Sequence, residues 1–182
     1  MARLLALTVL LAACDPTYLD EGFHVADDGV ELHPGAMPAT VAGDEDTAGL
    51  AIDACAWWAD QLGADALVPS EPGYVTVALG LVPASTADLD AGGEPLGIAS
   101  IGYSAWGSVL TCDVTISSDI AYDRDTALQV LRHELGHCLG LADDPGPPTT
   151  VDLRSVMASP LDPLGIVTDH DRALLAPYLE GL

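Results

Sequence analysis

The stretch His133-Glu-Leu-Gly-His137-Cys-Leu-Gly140-Leu-Ala-Asp143 constrains this chain more than any other. Two histidines four positions apart lie on one face of a helix, so both imidazoles can reach a single metal ion. Glu134 stands beside the first of them, where a carboxylate suits a general base that takes a proton from an attacking water. A catalytic zinc takes three protein ligands and keeps one position open. The helix must therefore stop soon after His137 and send the chain back. Gly140 suits that turn, because glycine enters the left-handed conformation at no steric cost. Asp143 follows three residues later as the third ligand, with Asp144 as its rival. Two carboxylates just past a helix C-terminus face the negative end of the helix dipole, an unfavourable place without a cation. A His-Glu pair at helical spacing also occurs as an ordinary solvated face, and acidic loops are common in so acidic a chain. The combined spacing favours the metal site.

HELGHCLGLADD, followed downstream by Ser155-Val156-Met157, resembles the metzincin clan of zinc endopeptidases, most nearly its matrixin-like branch. The clan's pattern is HExxHxxGxx followed by His or Asp, then a methionine in a tight turn beneath the metal. The resemblance implies that His133, His137 and Asp143 hold Zn2+, that Glu134 is the general base, that Gly140 makes the turn, and that Met157 is the Met-turn. It also implies an α+β fold with a twisted mixed β-sheet, an active-site helix carrying HExxH and a C-terminal helix. The aspartate departs from matrixins proper, which carry a third histidine, and is similar to small secreted snapalysin-type proteases. It lowers the charge of the metal site by one unit, which bears on metal affinity and preferred pH. No tyrosine stands two residues after Met157, so an astacin-like tyrosine switch is not implied. The resemblance is specific over residues 126–157 and extends more loosely over 48–180.

The chain opens with Met1-Ala-Arg and a short apolar run ending at Cys14. This has the form of a secretion signal and is too short for a membrane span. Leu11-Ala-Ala-Cys14 also resembles a bacterial lipobox, which implies lipidation of Cys14. The expected organisation is a signal at 1–13, an acidic tether at 14–46 with one early strand near Phe23–Leu32, and a catalytic domain at 47–182. Cys14 is the only cysteine in the N-terminal region, so a cysteine-switch prosegment of the matrixin kind is not expected.

Leu50, Ala54, Trp57, Trp58 and Leu62 recur at helical spacing from Thr47 to Gly63. Tyr74–Val82 alternates as a strand, residues 83–95 read as a loop, and Leu96–Tyr103 and Val109–Ser117 follow as strands about a turn near Trp106-Gly107. In the metzincin plan a strand here borders the cleft and takes an extended substrate by β-augmentation; Gly97–Tyr103 is placed in that role, and an ordinary hairpin is equally compatible with the pattern. The metal helix runs from Asp123–Thr126 to about Leu139, with Ala127, Val130, Leu131, Leu135 and Cys138 buried. Gly136 within it implies close packing. After the Met-turn, Ala158–Val167 would wall a substrate pocket. Thr168 and Asp171 form a capping box for a last helix through Leu179; His170 is an alternative ligand, but a solvent-facing place in the first turn suits it better.

Cys55, Cys112 and Cys138 remain for an oxidising compartment. A strand from Cys112 and an antiparallel helix ending at Cys138 each cover roughly 20 Å, which brings these two cysteines to the same end. A Cys112–Cys138 bridge is expected, with Cys55 buried and free; pairing of Cys55 with either partner is the alternative. A formal charge of −23 and the absence of lysine argue against nucleic acid as a partner. The acidic surface leaves Ca2+ binding open, although no EF-hand loop is present. The expectation is an exported, lipid-anchored monomer, facing the periplasm or cell exterior, that cleaves polypeptide substrates. The rivals are a lipoprotein that uses zinc only for stability and a module that binds extended peptides without turnover.

Overall fold

The computed structural model describes residues 22–83, 95–143, 155–158 and 165–182, together with strands at 7–10 and 88–89. In chain order the elements are β1 (Leu7–Leu10), β2 (Ala39–Gly43), α1 (Ala48–Leu62), β3 (Leu67–Pro69), β4 (Val75–Gly80), β5 (Asp88–Leu89), β6 (Pro95–Tyr103), β7 (Val109–Ser117), a 3-10 turn at Ser118–Ile120, α2 (Arg124–Cys138) and α3 (Asp169–Leu179). Seven strands make a mixed sheet along the path β1-β6-β7-β4-β2-β3, with β5 also beside β6. The pairs β7–β4, β4–β2 and β2–β3 are parallel, and β6 is antiparallel to β7. β1 and β5 each pair antiparallel with β6. The expected α+β class with a mixed sheet is present.

Period-two alternation makes β4 and β7 one-sided. Val75 and Val77 of β4 are buried while Thr76 and Ala78 face out, and in β7 Cys112, Val114 and Ile116 are buried while Asp113 is exposed. A sheet patterned this way needs apolar cover on one face only. α1 and α2 supply it, packing against the strands and each other. Trp58 is fully buried between them, and its indole N–H donates to the Arg132 carbonyl at 3.1 Å. The Arg132 guanidinium lies over the Trp57 ring, 4.9 Å from its centre, a cation–π contact on a half-buried ring. Leu62 is likewise half-buried. No helix of the described residues is long and apolar enough to cross a membrane.

Helix limits follow local chemistry. Gly63 closes α1 in the left-handed conformation (φ 69°) and its N–H reaches the Ala59 carbonyl. The Thr168–Asp171 capping box opens α3 as expected, each side chain bonding the other's backbone N–H. Cys112 and Cys138 form a disulfide with Cα atoms 5.6 Å apart, tying β7 to the end of α2. Cys55 is the free, buried thiol, and burial pushes its pKa up to about 12.

Three local expectations need correction. Residues 39–43, read as tether, form β2 in the interior of the sheet, and residues 67–69 form β3. Both strands are too short for alternation to register, and Pro38 and Pro69 flank or end them. In place of an early strand near Phe23–Leu32 there are isolated bridges, Val25 with Glu31 around a turn and Phe23 with Leu141. The strand expected over Tyr74–Val82 spans Val75–Gly80, and Leu81 beyond its end is 91% exposed. Cys14, Asp144, most of the 83–95 loop, the 144–154 connection and residues 159–164 lie outside the described residues.

Candidate metal centre

α2 is fixed at both ends by its own sequence. The Asp123 carboxylate accepts the N–H groups of Asp125 and Thr126 at 3.2 and 3.4 Å and the Thr126 hydroxyl at 2.7 Å. These bonds hold its pKa below the usual carboxylate range. At the other end Gly140 is left-handed (φ 85°), and the N–H groups of Gly140 and Leu141 return to the carbonyls of His137 and Gly136 at 2.8 and 3.1 Å. The chain reverses there, as the glycine implied, and carries Asp143 back to the helix.

His133 and His137 rise from successive turns with ring centres 4.7 Å apart. Each ring is oriented by a backbone carbonyl. His133 Nδ1 faces the Val156 carbonyl at 2.9 Å, and His137 Nδ1 faces the Leu141 carbonyl at 3.0 Å. A carbonyl can only accept, so each neutral ring carries its proton on Nδ1 and turns the Nε2 lone pair inward. The two Nε2 atoms are 3.1 Å apart, and Asp143 Oδ1 is 3.3 Å from one and 3.6 Å from the other. Atoms held at about 2.0–2.1 Å around one tetrahedral ion are about 3.3–3.4 Å apart. Three acceptors converging at this spacing fit a metal ion, and among the described residues His133, His137 and Asp143 form the group able to hold one. Exposed His170 lies outside that group.

The surrounding side chains are packed to match. Met157 is fully buried under α2, and a methyl at Gly136 would collide with its sulfur; close packing at Gly136 is thus observed. The Ser155 hydroxyl accepts the Met157 N–H at 3.0 Å, shaping the turn that presents the Val156 carbonyl to His133. Glu134 is fully buried. β6 crosses it so closely that a methyl at Gly97 would lie 2.5 Å from Glu134 Oε1 and 2.5 Å from Val130 Cγ1. The strand expected to border the cleft therefore does pass the candidate base.

Some neighbours left no legible mark in the sequence. His24 lies near the centre, where burial and the adjacent His137 lower its pKa to about 4 against the opposing pull of Asp143 and Asp27. A lone histidine in an acidic stretch gave no sign of that. The Val156 and Leu141 carbonyls belong to the backbone and leave no residue signature. Gly97 did leave one, since glycine inside a strand marks a close approach. No protein-family model matches the chain, and no curated protein matches it.

Proposed function

We propose that this chain is an exported zinc endopeptidase of metzincin-like type, lipid-anchored through Cys14. The observation that carries the proposal is the convergence of His133 Nε2, His137 Nε2 and Asp143 Oδ1 beside a fully buried Glu134. The nitrogen and carboxylate donors suit zinc among divalent ions. Bound there, zinc would supply Lewis acidity, polarising a carbonyl and making water more acidic. The chain's own residues supply the rest. Val156 and Leu141 hold both imidazoles in the tautomer that binds a cation. Glu134, away from bulk solvent, takes the proton from the attacking water and delivers it to the leaving amine. β6 runs past Glu134, and removal of Leu7–Leu10 with the signal at 1–13 would open its Ser100–Tyr103 edge, which β1 occupies, to an extended polypeptide.

Metal content and cleavage of casein or a peptide library, compared for the parent chain, Glu134→Ala and Asp143→Ala, test this. The expected result is one zinc per chain in the parent, retained zinc without cleavage in Glu134→Ala, and lost or weakened zinc in Asp143→Ala. Zinc without any cleavage by the parent would move the function to structural metal binding or peptide capture.

A further inference from the structure

Residues 22–33 lie across the loop that carries the third ligand. The Gly22 carbonyl accepts the Ala142 N–H at 3.0 Å, the His24 N–H donates to the Gly140 carbonyl at 2.7 Å, and Phe23 bridges antiparallel to Leu141. A methyl at Gly140 would sit 2.9 Å from His33 Cα and 3.0 Å from the Leu32 carbonyl oxygen. The backbone bond nearest Asp143, at Ala142, is thus made to this segment and not to α2.

The segment is pinned at points away from the ligands. Leu32 is fully buried, and its N–H closes a small hairpin on the His24 carbonyl at 2.7 Å. The His33 backbone exchanges bonds with Gly107 and Val109 at 3.0 and 3.1 Å, on the turn between β6 and β7. The His33 ring stacks on Tyr178 of α3 at 5.7 Å, and Phe23 meets the same ring edge-on at 5.8 Å.

We infer that residues 22–33 are a strap whose backbone positions Asp143 on the two histidines, so that metal affinity depends on contacts that never touch the metal. The inference rests on the metal site described above. α2 places His133 and His137 through helix geometry. Asp143 sits on an irregular loop, where ordering the backbone costs about 1–2 kcal/mol per residue unless other bonds hold it. The strap supplies those bonds.

A double-mutant cycle read by Co2+ and Zn2+ titration, without reference to cleavage, tests it. Leu32→Ala and Tyr178→Ala each loosen the strap from outside the ligand loop. Each is expected to weaken Co2+ binding about tenfold or more when Asp143 is present, the scale of lost outer support for a ligand. The Co2+ visible spectrum should shift toward that of Asp143→Ala. In the Asp143→Ala background the same changes should alter affinity by less than about twofold, as for uncoupled sites. Equal losses in both backgrounds, or no loss with Asp143 present, would overturn the strap. Should Leu32→Ala fail to fold, Tyr178→Ala on the half-buried face of α3 decides the matter. A parent chain that takes up neither ion overturns the metal site itself, an outcome distinct from a bound metal indifferent to the strap.

Discussion

Gly97 joins the sheet to the candidate base. With a methyl there only 2.5 Å from both Glu134 Oε1 and Val130 Cγ1, Gly97→Ala must displace the carboxylate, the strand, or both. A shift of about 1 Å at a reacting group can cost on the order of a hundredfold in rate. Gly97→Ala is therefore expected to lower peptide cleavage by about that factor while zinc stoichiometry stays unchanged. Loss of zinc alongside activity would mean that the substitution disturbs the histidines as well. A second residue-scale prediction concerns Cys55 and Tyr74. Burial raises both from 9.0 and 10.0 to about 12, so the fold keeps protons that the unfolded chain releases earlier. Unfolding sheds protons between those limits, and stability must fall as pH rises from about 9 toward 12. Denaturant midpoints measured across that range should decline. Cys55 should also resist thiol reagents at pH 8 until the protein unfolds.

Among the elements, α2 carries the most and is clamped hardest. Its N-terminus is capped by Asp123, its centre rests on Met157, and its last residue is bridged to β7. The bridge spans 26 residues, so its removal in Cys112→Ala with Cys138→Ala is expected to cost about 3–4 kcal/mol. A urea titration at saturating zinc and in its absence would read that cost. The metal should recover part of it, since an ion that binds only the folded chain adds stability by mass action. How far these elements were legible follows from their patterns. α1, α2, α3, β6 and β7 announce themselves through long periodic runs and caps such as Thr168 with Asp171. β2 and β3 do not, because Ala39-Thr-Val-Ala-Gly43 and Leu67-Val-Pro69 are short and mildly apolar, and their membership of the sheet is decided by partners far along the chain. The metal group was readable because a helix fixes the spacing of His133 and His137 in advance. The strap over Asp143 was not, because its bonds run between backbones.

For the whole molecule the dominant fact is charge. Twenty-eight acidic side chains face five arginines, for a formal −23. Among the described residues three arginines are engaged locally. Arg124 pairs with Asp53 at 2.6 Å, Arg172 with Asp169 at 3.1 Å, and Arg132 is committed to the Trp57 ring, where burial lowers its pKa. Self-repulsion of this size opposes the compact state, and salt screens it over about 8–10 Å at physiological ionic strength. Raising NaCl from low millimolar to about 0.15 M should therefore raise the melting temperature, by about 2–4 °C for each kcal/mol of repulsion removed. The Arg124–Asp53 and Arg172–Asp169 pairs weaken in the same salt, but each is worth at most about 1 kcal/mol, so the net sign stays positive. Screening depends on ionic strength alone and a bound ion does not, which separates calcium binding from general shielding. Melting curves in NaCl and in millimolar CaCl2 at matched ionic strength should coincide if the acidic surface is only a solvating coat. A further rise with calcium that saturates would mean that some of these carboxylates form a built site.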